Sequence, residues 1–379
     1  RWYDRLSKLF GHELSGRQSL ILYGSHPMFQ QTNVLNGQIS EGTGGVTESF
    51  KRRIIMPLAG PLKETDHVLG HELVHAFQYD MSGVKGPLSS SLRSGMFRLP
   101  LWFIEGMAEY LTVGPYDPHT AMSMRDAASR DKFPTIKQLA SPRYCPYRYG
   151  QALWSYLAGR YGDQVVPEML RTGGKSGNTD DSFKNVFKIK SDTLSGKWTD
   201  AIKSMASAVK EHTFPASHFG TLLIDGGNEG ELNLSPSLSP DGRYLAFLSS
   251  RDLFSIELYL ADVETGRVLH NLTSTVLDPH LQSLQFLYSS GSWHPDGRIF
   301  MFPGVGGGTP YLETVEVESG DRIRRFQIDE LDEILSPSWS PDGRKVVFSG
   351  LHGGLKDLFI YDLDSEELKQ MTDDPYADI

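Results

Sequence analysis

Apolar residues recur at helical intervals along much of the first 215 residues of the chain. In 66–79 they lie at the spacing of one helix face, and Gly83 offers a stop soon afterwards. A second, strongly apolar segment begins after Pro100 and runs to Tyr110, and a weaker helical pattern follows in 117–132. The pattern therefore predicts two successive long helices, separated by a stretch rich in serine and glycine.

Shorter patterns extend this region and add strands to it. Residues 1–9 have the spacing of an amphipathic helix, and 144–157 and 183–202 carry further helical faces. Compact apolar runs at 19–23 and 53–58 are typical of buried strands. The first part of the chain is therefore predicted to be an α+β domain.

From Gly220 onward the pattern changes to short strands and turns. Segments 236–247, 291–302 and 337–348 match one another, each with Pro-Asp-Gly-Arg followed by a mainly apolar strand. Their aspartates lie 55 (296 − 241) and 46 (342 − 296) positions apart, a spacing typical of propeller blades. Proline presets the first corner of such a turn and glycine accepts the exit. We therefore interpret these aspartates as turn formers rather than as a ring of metal ligands.

Composition narrows the range of functions. The chain has 379 residues, long enough for two domains, and a net charge of −10, which argues against nucleic acid or an anionic membrane as the main partner. Cys145 is the single cysteine, so no internal disulfide can form. No apolar run approaches the length of a membrane span. The chain begins at Arg1, so any signal peptide would already be missing from it.

The strongest candidate chemistry lies in the motif His71-Glu72-Leu73-Val74-His75. Histidines four positions apart lie on one helix face, so both imidazoles can reach a single metal ion, with Glu72 toward its open position. A hydrolytic zinc site takes three protein ligands, and Glu105 in the second apolar helix is our candidate for the third. Glu109, one turn later, can hydrogen-bond a ligand imidazole. The alternative is a polar helix face that holds no metal.

This motif, with Trp102-Phe103-Ile104-Glu105-Gly106-Met107-Ala108-Glu109-Tyr110 downstream, resembles the gluzincin metallopeptidases. More specifically, it is similar to the peptidase MA-like group, whose signature is Trp-x-x-Glu-Gly-x-Ala-Glu-Tyr. The resemblance implies a zincin-like α+β fold with one Zn²⁺, bound by both histidines of the motif and by Glu105. It also implies that Glu72 is the general base and that Glu109 supports a ligand imidazole from outside the metal's own shell.

The same resemblance predicts how substrate is held. A Tyr-x-x-Gly-x-x-x-x-x-Tyr-Leu pattern that starts at Tyr147 recurs in peptidase MA-like proteins, and gluzincins need a donor to the oxyanion of the tetrahedral intermediate. Tyr149 is our candidate, with Tyr147 behind it; the alternative is that both only pack their helix onto the core. The cleft edge that binds substrate backbone would be either 44–49 or 53–58. The loop 81–99 would cross over the cleft.

The three repeats resemble TolB-type β-propeller blades. We therefore predict a gluzincin-type domain in 1–215 and an all-β, partial propeller of about three blades in 220–379. Three blades cannot close a ring, so we expect further blades outside this chain. The resemblance implies a periplasmic or secreted bacterial protein.

Together these features predict a zinc metallopeptidase acting on a peptide or protein substrate, with the propeller gating the cleft or binding a protein partner. Two alternatives stay open: a binding protein whose zinc domain is catalytically silent, and a zinc hydrolase of non-peptide substrates. An intact Glu72 argues against the first, because structural zinc has no use for a general base. The chain lacks the glycine-rich recognition motif of the zinc aminopeptidases, which favours endopeptidase action.

Overall fold

A computed structural model describes most of the chain, and its contacts divide the chain into two compact units. The described residues are 1–33, 37, 39–40, 42–84, 94–226, 232–251, 256–273, 283–284 and 291–379. The first unit comprises Arg1–Ile21, Gly45–Met56 and Asp66–His218, and the second comprises Leu22–Gly44, Pro57–Thr65 and Phe219–Ile379. The centre of the predicted loop 81–99 lies outside the described residues.

Helices dominate the first unit, as the sequence predicts. The α-helices of the described chain are α1 Trp2–Phe10, α2 His26–Gln30, α3 Leu62–Met81, α4 Leu101–Val113, α5 Pro118–Ser129, α6 Pro146–Tyr161, α7 Val165–Ser176, α8 Thr179–Phe187 and α9 Ser191–Lys210. Short 3-10 helices occupy Gly95–Arg98, Gln138–Ala140 and Ala216–His218.

A small sheet accompanies these helices. Its strands are β1 Ser19–Tyr23, β2 Val46–Glu48 and β3 Arg53–Pro57, in the order β1-β3-β2, and β2 and β3 are antiparallel. The central strand β3 is almost entirely buried, in keeping with its apolar sequence. Among the described strands, β2 therefore has a free edge and β3 does not, so only the first of the two predicted cleft edges can accept an added strand.

Two glycines bring α4 and α6 into close contact. A Cβ atom on Gly106 would lie 2.3 Å from the Cα of Gly150, and one on Gly150 would lie 2.3 Å from the main-chain oxygen of Trp102. Beside this crossing, Trp154 Nε1 donates a hydrogen bond of 3.0 Å to the main-chain oxygen of Phe103. The glycine after Glu105 and the glycine of the tyrosine pattern are therefore two halves of one helix crossing.

The second unit contains three successive antiparallel sheets, which form a propeller-like β region. The strands are β4 Asn233–Leu238, β5 Tyr244–Ser249, β6 Glu257–Asp262, β7 Val268–Asn271, β8 Ser283–Leu284, β9 Ser292–Trp293, β10 Ile299–Gly306, β11 Thr309–Glu316, β12 Arg322–Gln327, β13 Glu333–Trp339, β14 Lys345–His352, β15 Leu355–Asp362 and β16 Leu368–Gln370. The first and third sheets run in chain order, β4-β5-β6-β7 and β13-β14-β15-β16. In the middle sheet, β8 and β9 both pair with one edge of β10, ahead of β11 and β12.

The repeated aspartates shape the turns that lead into β5, β10 and β14. Asp241 Oδ1 accepts the main-chain N–H of Arg243 at 3.1 Å and the hydroxyl of Ser239 at 2.7 Å. Asp296 and Asp342 accept the equivalent N–H groups at 2.9 and 3.1 Å. These contacts support the interpretation of the aspartates as turn formers. Among the helices that the structure describes, none combines the length and the apolar character that a bilayer crossing needs.

Candidate metal centre

Helix α3 presents His71 and His75 side by side. Their ring centroids are 4.8 Å apart, and each residue is only 8% exposed. The residue before the first histidine is Gly70, where a Cβ would lie 2.8 Å from the ring of Trp2. Trp2 also donates a hydrogen bond of 2.8 Å from its Nε1 to Asp66. Helix α1 therefore packs closely against α3 one residue from the site and fixes its position.

The Nε2 atoms of both histidines converge on one carboxylate oxygen from α4. Oε2 of Glu105 lies 3.1 Å from Nε2 of His71 and 3.3 Å from Nε2 of His75. In a tetrahedral zinc site with bonds of about 2.0–2.1 Å, two ligand atoms are separated by about 3.3 Å. Oε2 of Glu105 thus lies from each histidine at the separation that a shared zinc ion requires, and all three donor atoms lie within 4.8 Å of one another.

The other nitrogen of each imidazole faces an acceptor. Nδ1 of His75 lies 2.8 Å from Oε1 of Gln78, whose Nε2 donates to the main-chain oxygen of Ile104 at 3.0 Å. Nδ1 of His71 lies 3.2 Å from Oε1 of Glu109. An acceptor at Nδ1 holds the proton there and leaves Nε2 free for a metal. The sequence analysis missed Gln78; its position three residues after a predicted ligand on the same helix is the only signal that it offered.

Glu109 is the centre of a second group of polar side chains. Its Oε1 also lies 3.4 Å from Nε2 of His67, and its Oε2 lies 3.9 Å from Nη1 of Arg148. The group formed by His67, His71 and Glu109 has donor spacings that suit a metal as well. We assign it instead as support for the first group, because it shares His71 and because the other oxygen of its carboxylate forms an ion pair with Arg148.

Strand β2 supplies the groups around Glu72. This carboxylate is 6% exposed, and Oγ1 of Thr47 lies 2.6 Å from its Oε2 and 2.7 Å from its main-chain oxygen. The hydroxyl has one hydrogen, so it can donate to either oxygen but not to both at once. A Cβ on Gly45 would lie 2.9 Å from Cγ of Glu72. Glycine at this position therefore lets the strand pass directly over the carboxylate, and sequence reasoning assigned no such role to Gly45 or Thr47.

The structure does not bring Tyr149 to this group. Its ring packs against Tyr144 at 5.4 Å and Phe133 at 6.3 Å between centroids, away from the histidines. The ring of Tyr147 instead lies 5.9 Å from that of His71. Burial, the charges of Glu105 and other carboxylates, and a hydrogen bond to Glu105 raise the pKa of Tyr147. Residues i and i+2 of a helix point about 200° apart around its axis, so the two tyrosines necessarily face opposite sides.

Tyr79 is a further tyrosine beside the site, four residues after His75 on the same face of α3. Burial and the charges of Glu105 and Glu72 raise its pKa to about 12. The hydroxyl therefore remains protonated across the physiological pH range and can only act as a neutral donor or acceptor.

Without a metal, the carboxylates of this group favour the protonated form of His71. Burial lowers the pKa of His71, but hydrogen bonds to Glu105 and Glu109 and the charge of Glu72 outweigh it, so that the pKa rises to about 9. Burial raises the pKa of Glu105, but hydrogen bonds from His71 and His75 outweigh it and hold that pKa far below its ordinary value. The pKa of Glu109 falls to about 2 for the same reason, because hydrogen bonds from His67 and His71 exceed the effect of burial. A buried carboxylate pair around one imidazolium is a site that a divalent cation can take over.

Comparison with known proteins reaches only part of the chain. No family model matches this chain, and no curated protein sequence matches it. Solved structures that are similar to it include TolB from Acinetobacter baumannii, with 23% identity over 38% of this chain and 33% of that one and a TM-score of 0.32. The β-propeller domain of the Trilobed protease from Pyrococcus furiosus has 15% identity over 38% of this chain and 43% of that one, with a TM-score of 0.27. Hydrazine synthase from Kuenenia stuttgartiensis has 14% identity over 36% of this chain and 41% of that one, with a TM-score of 0.28.

This chain thus matches between 33% and 43% of the length of these three structures. The second unit is propeller-like because of its own sheets and repeats. These short alignments with low TM-scores say nothing further about this chain.

Proposed function

We propose that this protein is a zinc-dependent peptidase of the gluzincin type, with a zincin-like fold in its first unit. One observation carries the proposal: Nε2 of His71 and Nε2 of His75 both face Oε2 of Glu105, at 3.1 and 3.3 Å, with the carboxylate of Glu72 beside them. Three donors within 4.8 Å of one another, with a further carboxylate next to them, suit a hydrolytic zinc site better than a structural one.

The donor set fits zinc in chemistry as well as in spacing. Two imidazoles and one carboxylate are the ligands of known hydrolytic zinc sites, and here each imidazole has an acceptor at Nδ1. His71, His75 and Glu105 would hold the ion. A zinc ion held there would supply a Lewis acid that polarises a carbonyl group and lowers the pKa of a water molecule.

Glu72 is the proposed general base. Its carboxylate is buried and close enough to His71 for its charge to raise that residue's pKa. It would take a proton from the attacking water and deliver it to the leaving amine. The hydroxyl of Thr47, 2.6 Å from Oε2, would hold the carboxylate in the orientation that this transfer needs.

Tyr147 replaces Tyr149 as the proposed oxyanion donor. Its hydroxyl hydrogen-bonds Glu105 in the free protein, and its side chain is 42% exposed, so substrate can reach it. A hydroxyl with a raised pKa keeps its proton and can donate it in a hydrogen bond to a carbonyl oxygen as negative charge develops there.

The proposed substrate is a peptide or protein segment that binds in extended form along β2. The free edge of this strand lies next to Glu72 through Thr47, so an added strand would bring its carbonyl groups past the general base. The propeller-like unit would gate access or bind a protein partner. Its resemblance to TolB-type repeats leads us to propose a location in the bacterial envelope or outside the cell.

Metal removal and reconstitution test this proposal. Protein dialysed against a chelator should lose cleavage of an unstructured protein substrate, and one equivalent of Zn²⁺ per chain should restore it. Cleavage that persists at a zinc content far below one per chain would contradict the proposal. A protein that takes up one zinc ion but cleaves nothing would favour the alternative of a binding protein with a silent zinc domain.

A further inference from the structure

We infer that Arg148 and Asp117 form a positioning pair that holds Glu109, and through it the ligand His71, in the orientation that zinc binding requires. This inference rests on the proposed function. Nη1 of Arg148 lies 3.1 Å from Oδ1 of Asp117 and 3.9 Å from Oε2 of Glu109. On its other side, Oε1 of Glu109 lies 3.2 Å from Nδ1 of His71. One hydrogen bond and two ion-pair contacts thus lead from Asp117 through Arg148 and Glu109 to the proposed ligand.

The arginine is needed because of where Glu109 lies. The side chain of Glu109 is 9% exposed, whereas that of Arg148 is 33% exposed. The guanidinium of Arg148 supplies a positive charge at Oε2 of Glu109, whereas His67 and His71 both face Oε1. Without it, the buried carboxylate of Glu109 keeps only imidazole partners, and it can turn away from His71 toward water.

Contacts other than the one with Arg148 also hold Asp117 in place. It precedes α5, and its Oδ1 accepts the main-chain N–H of Thr120 at 2.7 Å, so the same oxygen serves as the helix cap and as the arginine's partner. The segment that leads to it is tied to α6 at two points. Gln151 Nε2 donates to the main-chain oxygen of Gly114 at 2.7 Å, and Ser155 Oγ donates to that of Pro115 at 2.9 Å.

A positioning role for Arg148 and a general structural role differ in the property that a substitution should change. Arg148 is the third residue of α6, directly after Tyr147, so both side chains are delivered to the site by the same helix turn. A purely structural arginine would affect folding alone. An arginine that acts through Glu109 should instead change the affinity for zinc and the geometry of the metal site in a protein that remains folded.

The test is zinc affinity, measured on the full chain by competition with a chromophoric chelator, together with the visible spectrum of the Co²⁺-substituted protein. We expect Arg148→Gln to weaken zinc binding by roughly 10- to 100-fold, with the stoichiometry unchanged and the cobalt spectrum altered. Asp117→Asn should weaken it in the same direction by a smaller factor. Arg148→Lys should recover part of the affinity, because it keeps the charge but not the forked geometry. Arg160→Gln, in the exposed last turn of the same helix, is the matched control and should leave binding unchanged.

A double-mutant cycle with Glu109→Gln tests the route of the effect. If Arg148 acts through Glu109, adding Arg148→Gln to Glu109→Gln should cause little further loss of zinc affinity. Folded Arg148→Gln protein that binds zinc with wild-type affinity and an unchanged cobalt spectrum would overturn this inference. The proposed function would not be affected by that result. Should Arg148→Gln not fold, wild-type affinity in Arg148→Lys together with Asp117→Asn would overturn it in the same way. Wild-type protein that binds no zinc would overturn the proposed function, and the inference with it.

Discussion

The hydroxyl of Thr47 lies 2.6 Å from Oε2 of Glu72, so a strand residue directly supports the proposed general base. The contact joins β2 to α3 through two residues that are 25 positions apart in the chain. The hydroxyl of Thr47 orients the buried carboxylate of Glu72 and can donate a hydrogen bond to it.

Replacing this hydroxyl should therefore impair turnover more than binding. We expect Thr47→Val to lower kcat by roughly 10- to 100-fold, because a hydrogen bond to a charged group contributes about 1.5–3 kcal/mol. KM and zinc content should change little. Steady-state kinetics on a cleaved peptide measure this, and Thr47→Ser, which keeps a hydroxyl, is the control. Equal kcat in the valine variant and wild type would show that Glu72 does not depend on the contact.

The roles of Glu105 and Glu109 can be separated by metal content. Glu105→Ala removes an oxygen that faces both Nε2 atoms, so we expect it to lose stoichiometric zinc. Glu109→Ala removes only the acceptor at Nδ1 of His71, so we expect it to keep one zinc with affinity roughly 10- to 100-fold weaker. Elemental analysis after dialysis at a fixed free zinc concentration distinguishes the two. Full zinc in Glu105→Ala with none in Glu109→Ala would reverse the assignment.

The two tyrosines of α6 make a matched pair for a second kinetic test. Tyr147→Phe should lower kcat by roughly 10- to 1,000-fold if its hydroxyl donates to the developing oxyanion. Tyr149→Phe, which changes a ring packed against Tyr144 and Phe133, should leave kcat unchanged. The opposite result would restore the original sequence-based choice of Tyr149.

The helix crossing at Gly106 and Gly150 should be intolerant of any side chain. A Cβ at Gly150 would lie 2.3 Å from the main-chain oxygen of Trp102, so backbone must move to admit it. We expect Gly150→Ala to lower the free energy of unfolding by about 1–3 kcal/mol, the usual cost of overpacking, and to weaken zinc binding by displacing Glu105. Denaturant unfolding of the zinc-free protein checks the first effect. Gly159→Ala, on the same helix with nothing within 4 Å of the added atom, is the control.

Zinc binding should depend on pH through His71. In the zinc-free protein the pKa of His71 is raised from 6.5 to about 9, so its protonated form stabilises the fold most below about pH 6.5 and this contribution is lost as the pH rises through 9. Zinc must displace that proton. Between these two pH values the apparent affinity should therefore rise about tenfold per pH unit, with release of about one proton per ion bound. Titration calorimetry in buffers of different ionisation enthalpy counts the protons released on zinc binding. An affinity that does not change with pH would contradict the raised pKa of His71.

Sequence spacing could predict the donors but not their supports. His71 and His75 are four residues apart on one helix, and the structure brings them to Glu105; their role as zinc ligands stays a prediction. Sequence alone could not choose between Tyr149 and Tyr147, because helix geometry puts the two on opposite sides without saying which side faces the site. Thr47 and Arg148 were missed because each reaches the site only through the packing of separate elements, and no local pattern encodes that approach. In the second unit, the repeated turn motif did predict the successive antiparallel sheets, because turn chemistry and strand alternation are local.

The most direct test of the central claim is cleavage of a mixed peptide library by zinc-loaded protein beside Glu72→Gln at equal zinc content. We expect the wild-type protein to cleave peptides and the variant, with its metal retained and its fold intact, to cleave none at a detectable rate, because only the base has been removed. The same experiment would report which bonds are cut and whether cleavage is internal. Equal cleavage by both proteins would contradict the account, since hydrolysis would then proceed without Glu72.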